Sequence, residues 1–102
     1  MAVNPTESEF SALQGTKFLI KVQTLEVPLE LVEVKGYLNQ QTEQAGMERF
    51  SAFFDGALES FLPQGMYLMQ HESLGEFEIF LVPIAQNQNG FRYEAVFNFF
   101  KD

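Results

Sequence analysis

The chain has 102 residues, of which 46% are hydrophobic, 15% are aromatic and none is cysteine. This length accommodates a single domain, and the lack of cysteine excludes disulfides, thiolate metal sites and thiol catalysis. Fourteen acidic residues against six basic ones give a net charge of −8, which disfavours nucleic-acid binding. The twelve Phe and three Tyr supply enough apolar surface for a compact core.

The sequence predicts no targeting signal. The N-terminal residues show no basic segment followed by an apolar run, and no apolar stretch approaches the roughly 20 residues of a membrane-spanning helix. We therefore expect a cytoplasmic protein that does not contact membranes.

A short helix is predicted over residues 5–14. Thr6 and Glu9 have the spacing of a capping box, and Gly15 is a natural stop signal. Phe10 and Leu13 lie three residues apart on one helix face, so we expect them to plug an open end of the core.

The apolar residues recur with a period of two from Thr16 onward, which predicts a first strand. Its inward residues are Phe18, Ile20 and Val22. In the next strand, Val27 to Val34, the apolar phase changes, and a β-bulge near Leu31–Val32 would restore a single inward face. Pro28 cannot donate to a ladder, which predicts that this strand lies at an edge or begins there.

The polar segment 36–46 is predicted to be a mobile loop, with Tyr37 and Leu38 folding back onto the body. A third strand follows from Met47 to Phe54, and Asp55-Gly56 is expected to break it. Its inward residues are Phe50, Ala52 and Phe54.

One helical turn and three further strands complete the prediction. The turn contains Leu58 and ends at Pro63, and a fourth strand spans Met66 to His71. The last two strands alternate clearly between apolar and polar positions. Their inward residues are Phe77, Ile79 and Leu81, then Phe91, Tyr93, Ala95, Phe97 and Phe99.

The turn between the last two strands is predicted from the phase of these residues. A three-residue loop, Gln88-Asn89-Gly90, pairs Asn87 with Phe91 and Leu81 with Phe97, which keeps every large residue on one face. Its glycine would supply the left-handed position. A five-residue loop is the second choice, and a two-residue Asn-Gly turn is disfavoured because it turns Leu81 away from that face.

Six strands with one Phe-rich face indicate an all-β, mainly antiparallel domain. We predict a six-stranded small barrel or sandwich, with a single domain over residues 1–102 and a β body over residues 16–99. The short N-terminal helix precedes this body.

The sequence offers little catalytic chemistry. His71 could join Ser73 or Ser51 and an acid, but the chain has no nucleophile elbow and no glycine pair for an oxyanion hole. We therefore predict no catalytic residues and interpret His71 as a surface or half-buried turn histidine, whose replacement by alanine leaves stability nearly unchanged.

Metal and cofactor sites are not expected either. Glu72, Glu76 and Glu78 are close in sequence, but Glu76 and Glu78 point outward from a strand, which favours a solvated face. The fingerprints of calcium, phosphate and dinucleotide binding are missing.

The most informative feature is a set of apolar residues on the face opposite the predicted core. These residues are Phe53, Phe80, Val82, Val96 and Phe100. In one interpretation the helix, the long loops or a second sheet cover them. In the other they form an exposed patch for a partner protein or an identical subunit, and strand edges offer a further route to assembly.

Several segments together resemble a family of small bacterial proteins of unknown function. They are Phe10–Gly15, Glu48–Ser51, Leu62–Gly65, Leu74–Phe77, Phe80–Ile84 and Arg92–Asn98. The resemblance implies a stand-alone bacterial β domain and a link with phage-tail-like or tail-fibre gene products. It implies no activity and no catalytic residues.

Two function hypotheses follow. The first is a non-enzymatic bacterial domain of unknown function that acts through protein–protein contacts, as a structural or accessory component that binds a partner or forms a homodimer. The alternative is a small β-barrel whose Phe-lined interior binds an apolar ligand. Large inward residues fill a small barrel, which favours the first hypothesis.

Overall fold

A computed structural model of the chain describes residues 5–37 and 47–100. The described residues form one α-helix and six strands: α1 (Glu7–Ser11), β1 (Lys17–Val22), β2 (Leu25–Gly36), β3 (Met47–Ala57), β4 (Gly65–His71), β5 (Gly75–Asn87) and β6 (Gly90–Phe100). A single 3₁₀ turn, Leu58–Ser60, follows β3.

The strands close into a barrel in the order β1-β2-β3-β6-β5-β4, with β4 returning to β1, and every neighbouring pair is antiparallel. The predicted all-β class is therefore confirmed, and the barrel replaces the sandwich alternative. The longest ladder joins β3 to β6. The shortest joins β1 to β4, and we call this contact the seam.

Helix α1 is shorter than predicted but begins as expected. The Thr6 hydroxyl accepts from the Glu9 amide at 3.2 Å, and the Glu9 carboxylate accepts from the Thr6 amide at 2.8 Å, which completes the capping box. After Ser11 the chain turns and reaches Gly15 with φ +84°, a left-handed conformation that glycine adopts without strain. Phe10 is fully buried, so the helix does insert its aromatic ring into the core.

The predicted bulge in β2 is confirmed, because its register with β3 shifts between Leu31 and Glu33. The edge position predicted from Pro28 is wrong, since β2 lies between β1 and β3. The backbone groups of Leu31 face β1, so alternation points those of Pro28 toward β3. The β3 ladder begins only at Glu30, and the missing amide therefore interrupts no pairing.

Asp55-Gly56 does not break β3, which continues to Ala57. A Cβ atom on Gly56 would lie 2.6 Å from a methyl group of Leu29, and one on Gly90 would collide with the Gly56 carbonyl oxygen. Close packing inside a paired strand thus favours glycine at both positions. Gly56 does not end its strand, and Gly90 does not adopt the left-handed conformation that the turn prediction gave it.

The predicted loop between β5 and β6 is also wrong. The structure pairs Asn87 with Gly90, which leaves a two-residue loop, and the Asn87 side-chain oxygen accepts from the Gly90 amide at 3.0 Å. A register shift between Pro83 and Ala85 then corrects the phase. The apolar residues stay inward as predicted, but a bulge rather than a longer loop achieves it.

Phe97 and Leu81 are both buried, but they are not strand partners. Phe97 lies opposite Phe50 of β3, and the β5–β6 ladder ends where Val82 meets Glu94. The prediction that Phe97 faces Leu81 is therefore wrong, because the shorter loop and the bulge each shift β6 by one residue relative to β5.

The segment after β3 closes the end of the barrel opposite α1. The Leu62 amide donates to the Tyr93 hydroxyl at 2.9 Å, and the Phe61 ring packs on Phe91 with centroids 4.8 Å apart. Burial raises the pKa of the Tyr93 phenol, because the phenolate would lose its hydration.

The predicted loop 36–46 falls mainly outside the described residues. Gly36 still belongs to β2, and residues 38–46, including Leu38, are not described. Tyr37 does fold back onto the barrel, since its hydroxyl donates to Ser51 at 3.1 Å.

Candidate functional site

An apolar patch lies on the outside of β4, β5 and β6. We call it the outer apolar face, and it consists of Met66, Leu68, Phe80, Val82 and Val96. Met66 and Phe80 are direct cross-strand partners, with side chains 60% and 43% exposed. Val96, on β6, is 62% exposed, and it is the next outward residue after Glu94, which lies opposite Val82.

The structure brings together most of the residues predicted as an interface. Phe80 and Val96 are exposed, whereas Val82 and Phe53 are half-buried. Phe53 lies on β3 opposite Glu94, so it borders the outer apolar face. Phe100 pairs with Met47, and its side chain lies outside the described residues.

Sequence reasoning missed Met66 and Leu68. Both are outward residues of β4, where they alternate with the buried residues Met69 and His71. That alternation was the available signal, because two inward residues on a strand fix the direction of their neighbours.

Polar side chains connect β3, β6 and the residue that follows β2 beside this face. The Tyr37 hydroxyl donates to the Ser51 hydroxyl, which in turn donates to the Glu94 carboxylate at 2.7 Å. Ser51 points outward from β3 yet is fully buried. Its hydroxyl is therefore engaged with Tyr37 and Glu94 and is not placed next to His71 as a nucleophile.

His71 is buried, contrary to the prediction of a surface or half-buried turn residue. The Thr16 hydroxyl donates to the Leu13 carbonyl at 2.6 Å, so it accepts from His71 Nε2 at 3.0 Å. His71 Nδ1 accepts from the Ser73 amide at 3.0 Å. These partners assign the neutral tautomer with a proton on Nε2.

The position of His71 gives it a structural role. Its ring lies 4.3 Å from that of Phe18, which belongs to β1, whereas His71 ends β4. The imidazole thus holds the two strands of the seam together. Contrary to the sequence-based interpretation, replacing His71 should destabilise the fold.

The acidic residues near His71 do not converge. Glu76 binds Lys21 at 3.1 Å across the seam, and Glu78 lies on the outer side of β5 opposite Leu68. Within residues 5–37 and 47–100, no three potential metal ligands cluster together.

Two adjoining surface depressions, of about 180 and 250 Å³, lie at the end of the barrel opposite α1. Both are lined by Asp55, Gly56 and Asn89. The Arg92 guanidinium binds the Asp55 carboxylate through two hydrogen bonds of 2.7 and 3.1 Å, and this contact raises the pKa of Arg92. Among the described residues, Arg92 and Asp55 form the only ion pair at this rim, and each charge is already bound by the other.

The part of the chain that the structure describes contains no helix long and apolar enough to cross a membrane.

Neither the curated proteins nor the solved structures include a match to this chain. One family model, described as a domain of unknown function (DUF6916), matches residues 5–97. This match covers α1 and nearly all of the barrel, and the chain therefore belongs to the DUF6916 family.

Proposed function

We propose that the protein is a non-enzymatic bacterial domain that acts by protein–protein contact, as a structural or accessory component. The observation that carries this proposal is the outer apolar face. Met66, Phe80 and Val96 are each more than two-fifths exposed and lie on adjacent strands. Large apolar side chains exposed on neighbouring strands are typical of an interaction site.

The addition of a strand is hindered at two of the edges that the barrel leaves free. Among the described residues, β2 extends past β3 and β5 extends past β4, and a further edge is free where β6 continues beyond its ladder with β5. Pro28 lies in the first extension, and Pro83 with the adjacent bulge lies in the second. Proline and bulges are features that hinder pairing with another strand.

The interior supports this function better than it supports an apolar-ligand barrel. The Phe10 ring contacts Phe18, Phe50 and Phe97 at centroid distances of 5.2–5.9 Å. Aromatic side chains thus occupy the centre of the barrel. A place among phage-tail-like or tail-fibre gene products is part of the proposal that rests on the family resemblance alone.

The experiment is affinity capture from cells of the source organism with matched baits. Wild type and Leu25→Ser should capture the same protein, whereas Met66→Ser and Val96→Ser should lose it. Leu25 is a suitable control because it is 67% exposed, like the two face residues, but lies in the β1–β2 hairpin. Circular dichroism confirms that each bait is folded.

A second measurement locates the contact. The captured protein is prepared in pure form and titrated into isotope-labelled chain, and amide shifts should concentrate on β4, β5 and β6. Equal capture by all four baits, or shifts confined to β1 and β2, would contradict the proposal.

A further inference from the structure

The distribution of charge identifies the chemistry of the partner, an inference that rests on the proposed function. No Lys or Arg occurs between Arg49 and Arg92. The same stretch contains the acids Asp55, Glu59, Glu72, Glu76 and Glu78. Because β4 and β5 lie wholly within it, two of the three strands of the outer apolar face carry no positive charge.

The acids lie beside the apolar side chains. Glu78 is exposed, lies opposite Leu68 and precedes Phe80 by two residues on the same side of β5. No ion pair involves Glu78 among the described residues. Glu94 lies opposite Val82, and its described partner is the neutral Ser51 hydroxyl.

The nearby cation on β1 is already engaged. Lys21 pairs in the ladder with Leu68, and its ammonium group lies 3.1 Å from Glu76 and 3.9 Å from Glu26. The positive charge of Lys21 is therefore shared between Glu76 and Glu26. The Glu78 carboxylate is exposed, and a cation of a partner protein can reach it.

A second copy of the chain fits this surface poorly. A symmetric dimer places the same patch on both sides of the contact, so the carboxylates beside one apolar face would approach those beside the other. Like charges brought together in this way oppose association. A partner that presents apolar side chains flanked by cations gains contact with both kinds of residue.

We propose that the outer apolar face binds a protein segment whose apolar side chains are flanked by Lys or Arg, with these cations facing Glu78. The apolar side chains cover Met66, Phe80 and Val96. Burial of apolar surface supplies the affinity, and the charge pairs select the partner.

Two synthetic peptides of equal length test this inference directly. Both carry the same leucines, alternating with lysine in one and with glutamate in the other. The lysine peptide should bind, and its binding should weaken when salt rises from about 0.05 M to about 0.5 M, because salt screens exposed charges. The glutamate peptide should not bind.

Variants of the chain separate a specific contact from general attraction to an acidic protein. Glu78→Gln should weaken binding of the lysine peptide about twofold to fivefold, as expected for one exposed ion pair. Glu33→Gln makes the same charge change at an exposed position on β2, which pairs with none of β4, β5 and β6, and should change the affinity less than Glu78→Gln does. Met66→Ser should reduce binding without changing its dependence on salt.

Several outcomes would overturn the inference. They are equal binding of the two peptides, no binding of either, equal effects of Glu78→Gln and Glu33→Gln, or a dimer that Met66→Ser disrupts. The proposed function is tested separately, because it survives each of these results if the face variants still lose a captured protein. It fails if they retain every protein that wild type captures.

Discussion

The two sides of the barrel are closed in different ways. β3 and β6 pair along eleven positions, from Met47 opposite Phe100 to Ala57 opposite Gly90. At the seam, β1 and β4 pair along only three positions, Leu19–Lys21 with Leu68–Gln70. Each backbone pair adds stability only as part of a ladder, so three pairs provide little on their own. The seam must therefore be stabilised by side chains.

Side chains from both ends of the short ladder provide this stabilisation. His71 binds Thr16 and packs on Phe18 on the inner side, and Lys21 binds Glu76 on the outer side. The β3–β6 ladder also has side-chain contacts, such as Arg92 with Asp55, but these add to eleven backbone pairs. We therefore expect the seam to open locally before the rest of the barrel unfolds.

We expect the largest loss of stability from removing the Phe10 ring, which contacts both sides of the barrel. Phe10 contacts Phe18 of β1 and also Phe50, Phe54 and Phe97 of the β3–β6 sheet. Phe10→Ala leaves a cavity among these rings and should lower the free energy of unfolding by about 3–5 kcal/mol. Chemical denaturation measures this change.

Phe80→Ala provides the matched control for Phe10→Ala. Phe80 is 43% exposed on the outer apolar face, so the expected change is about 1 kcal/mol or less. If Phe10→Ala changed stability as little as the control, α1 would not belong to the cooperative core, and the barrel would have to close without it.

A smaller effect is expected at the seam itself. His71→Ala removes the contact with Phe18 and leaves the Ser73 amide without its acceptor. The free energy of unfolding should fall by about 2–3 kcal/mol. Amide hydrogen exchange should quicken at Leu19–Lys21 and Leu68–Gln70 more than along β3 and β6.

Thr16→Val is the companion variant for His71→Ala. It keeps the shape of the side chain but removes the oxygen that accepts from His71 Nε2, so it should quicken exchange at the same amides by a smaller amount. Uniform acceleration across all strands in both variants would show that the seam has no independent opening.

The inward residues of the barrel can be predicted from the sequence where apolar and polar residues alternate regularly. Alternation correctly placed Phe18, Phe50 and Tyr93 inside, because a residue that changes face exposes a large apolar side chain. The bulge in β2 was predictable for the same reason, since Leu29 and Val34 otherwise occupy opposite faces.

The errors concern residues that have two structural uses. Gly56 and Gly90 have the composition of turns, but each is required where one strand approaches another backbone or side chain closely. Pro28 indicates an edge, yet a strand paired on both sides can hold a proline where one ladder has not begun. Local sequence does not distinguish these cases, because the deciding neighbour is distant in the chain.

The candidate site was harder to predict than the fold. Phe80 and Val96 were identified from their phase, but Met66 and Leu68 become their neighbours only when β4 pairs with β5. The role of His71 depends on Thr16, which is brought close by closure of the barrel. Both features arise from strand order, which alternation does not specify.

The smallest expected effect concerns the ion pair across the outer side of the seam. Lys21→Gln keeps most of the side-chain length but removes the charge that binds Glu76. Both side chains are at least one-third exposed, so the loss should be below about 1 kcal/mol. Denaturation at two salt concentrations measures it, because salt screens an exposed pair.

Lys21→Gln also distinguishes the outer contact of the seam, Lys21 with Glu76, from the inner contact through His71. In wild type, raising the salt concentration should quicken exchange at Leu19–Lys21, whereas in Lys21→Gln this response should largely disappear. The inner contact through His71 is buried and uncharged, so His71→Ala should retain the salt response. If Lys21→Gln kept the full response while His71→Ala lost it, the outer ion pair would not contribute to closure, and the seam would depend on His71 and its neighbours alone.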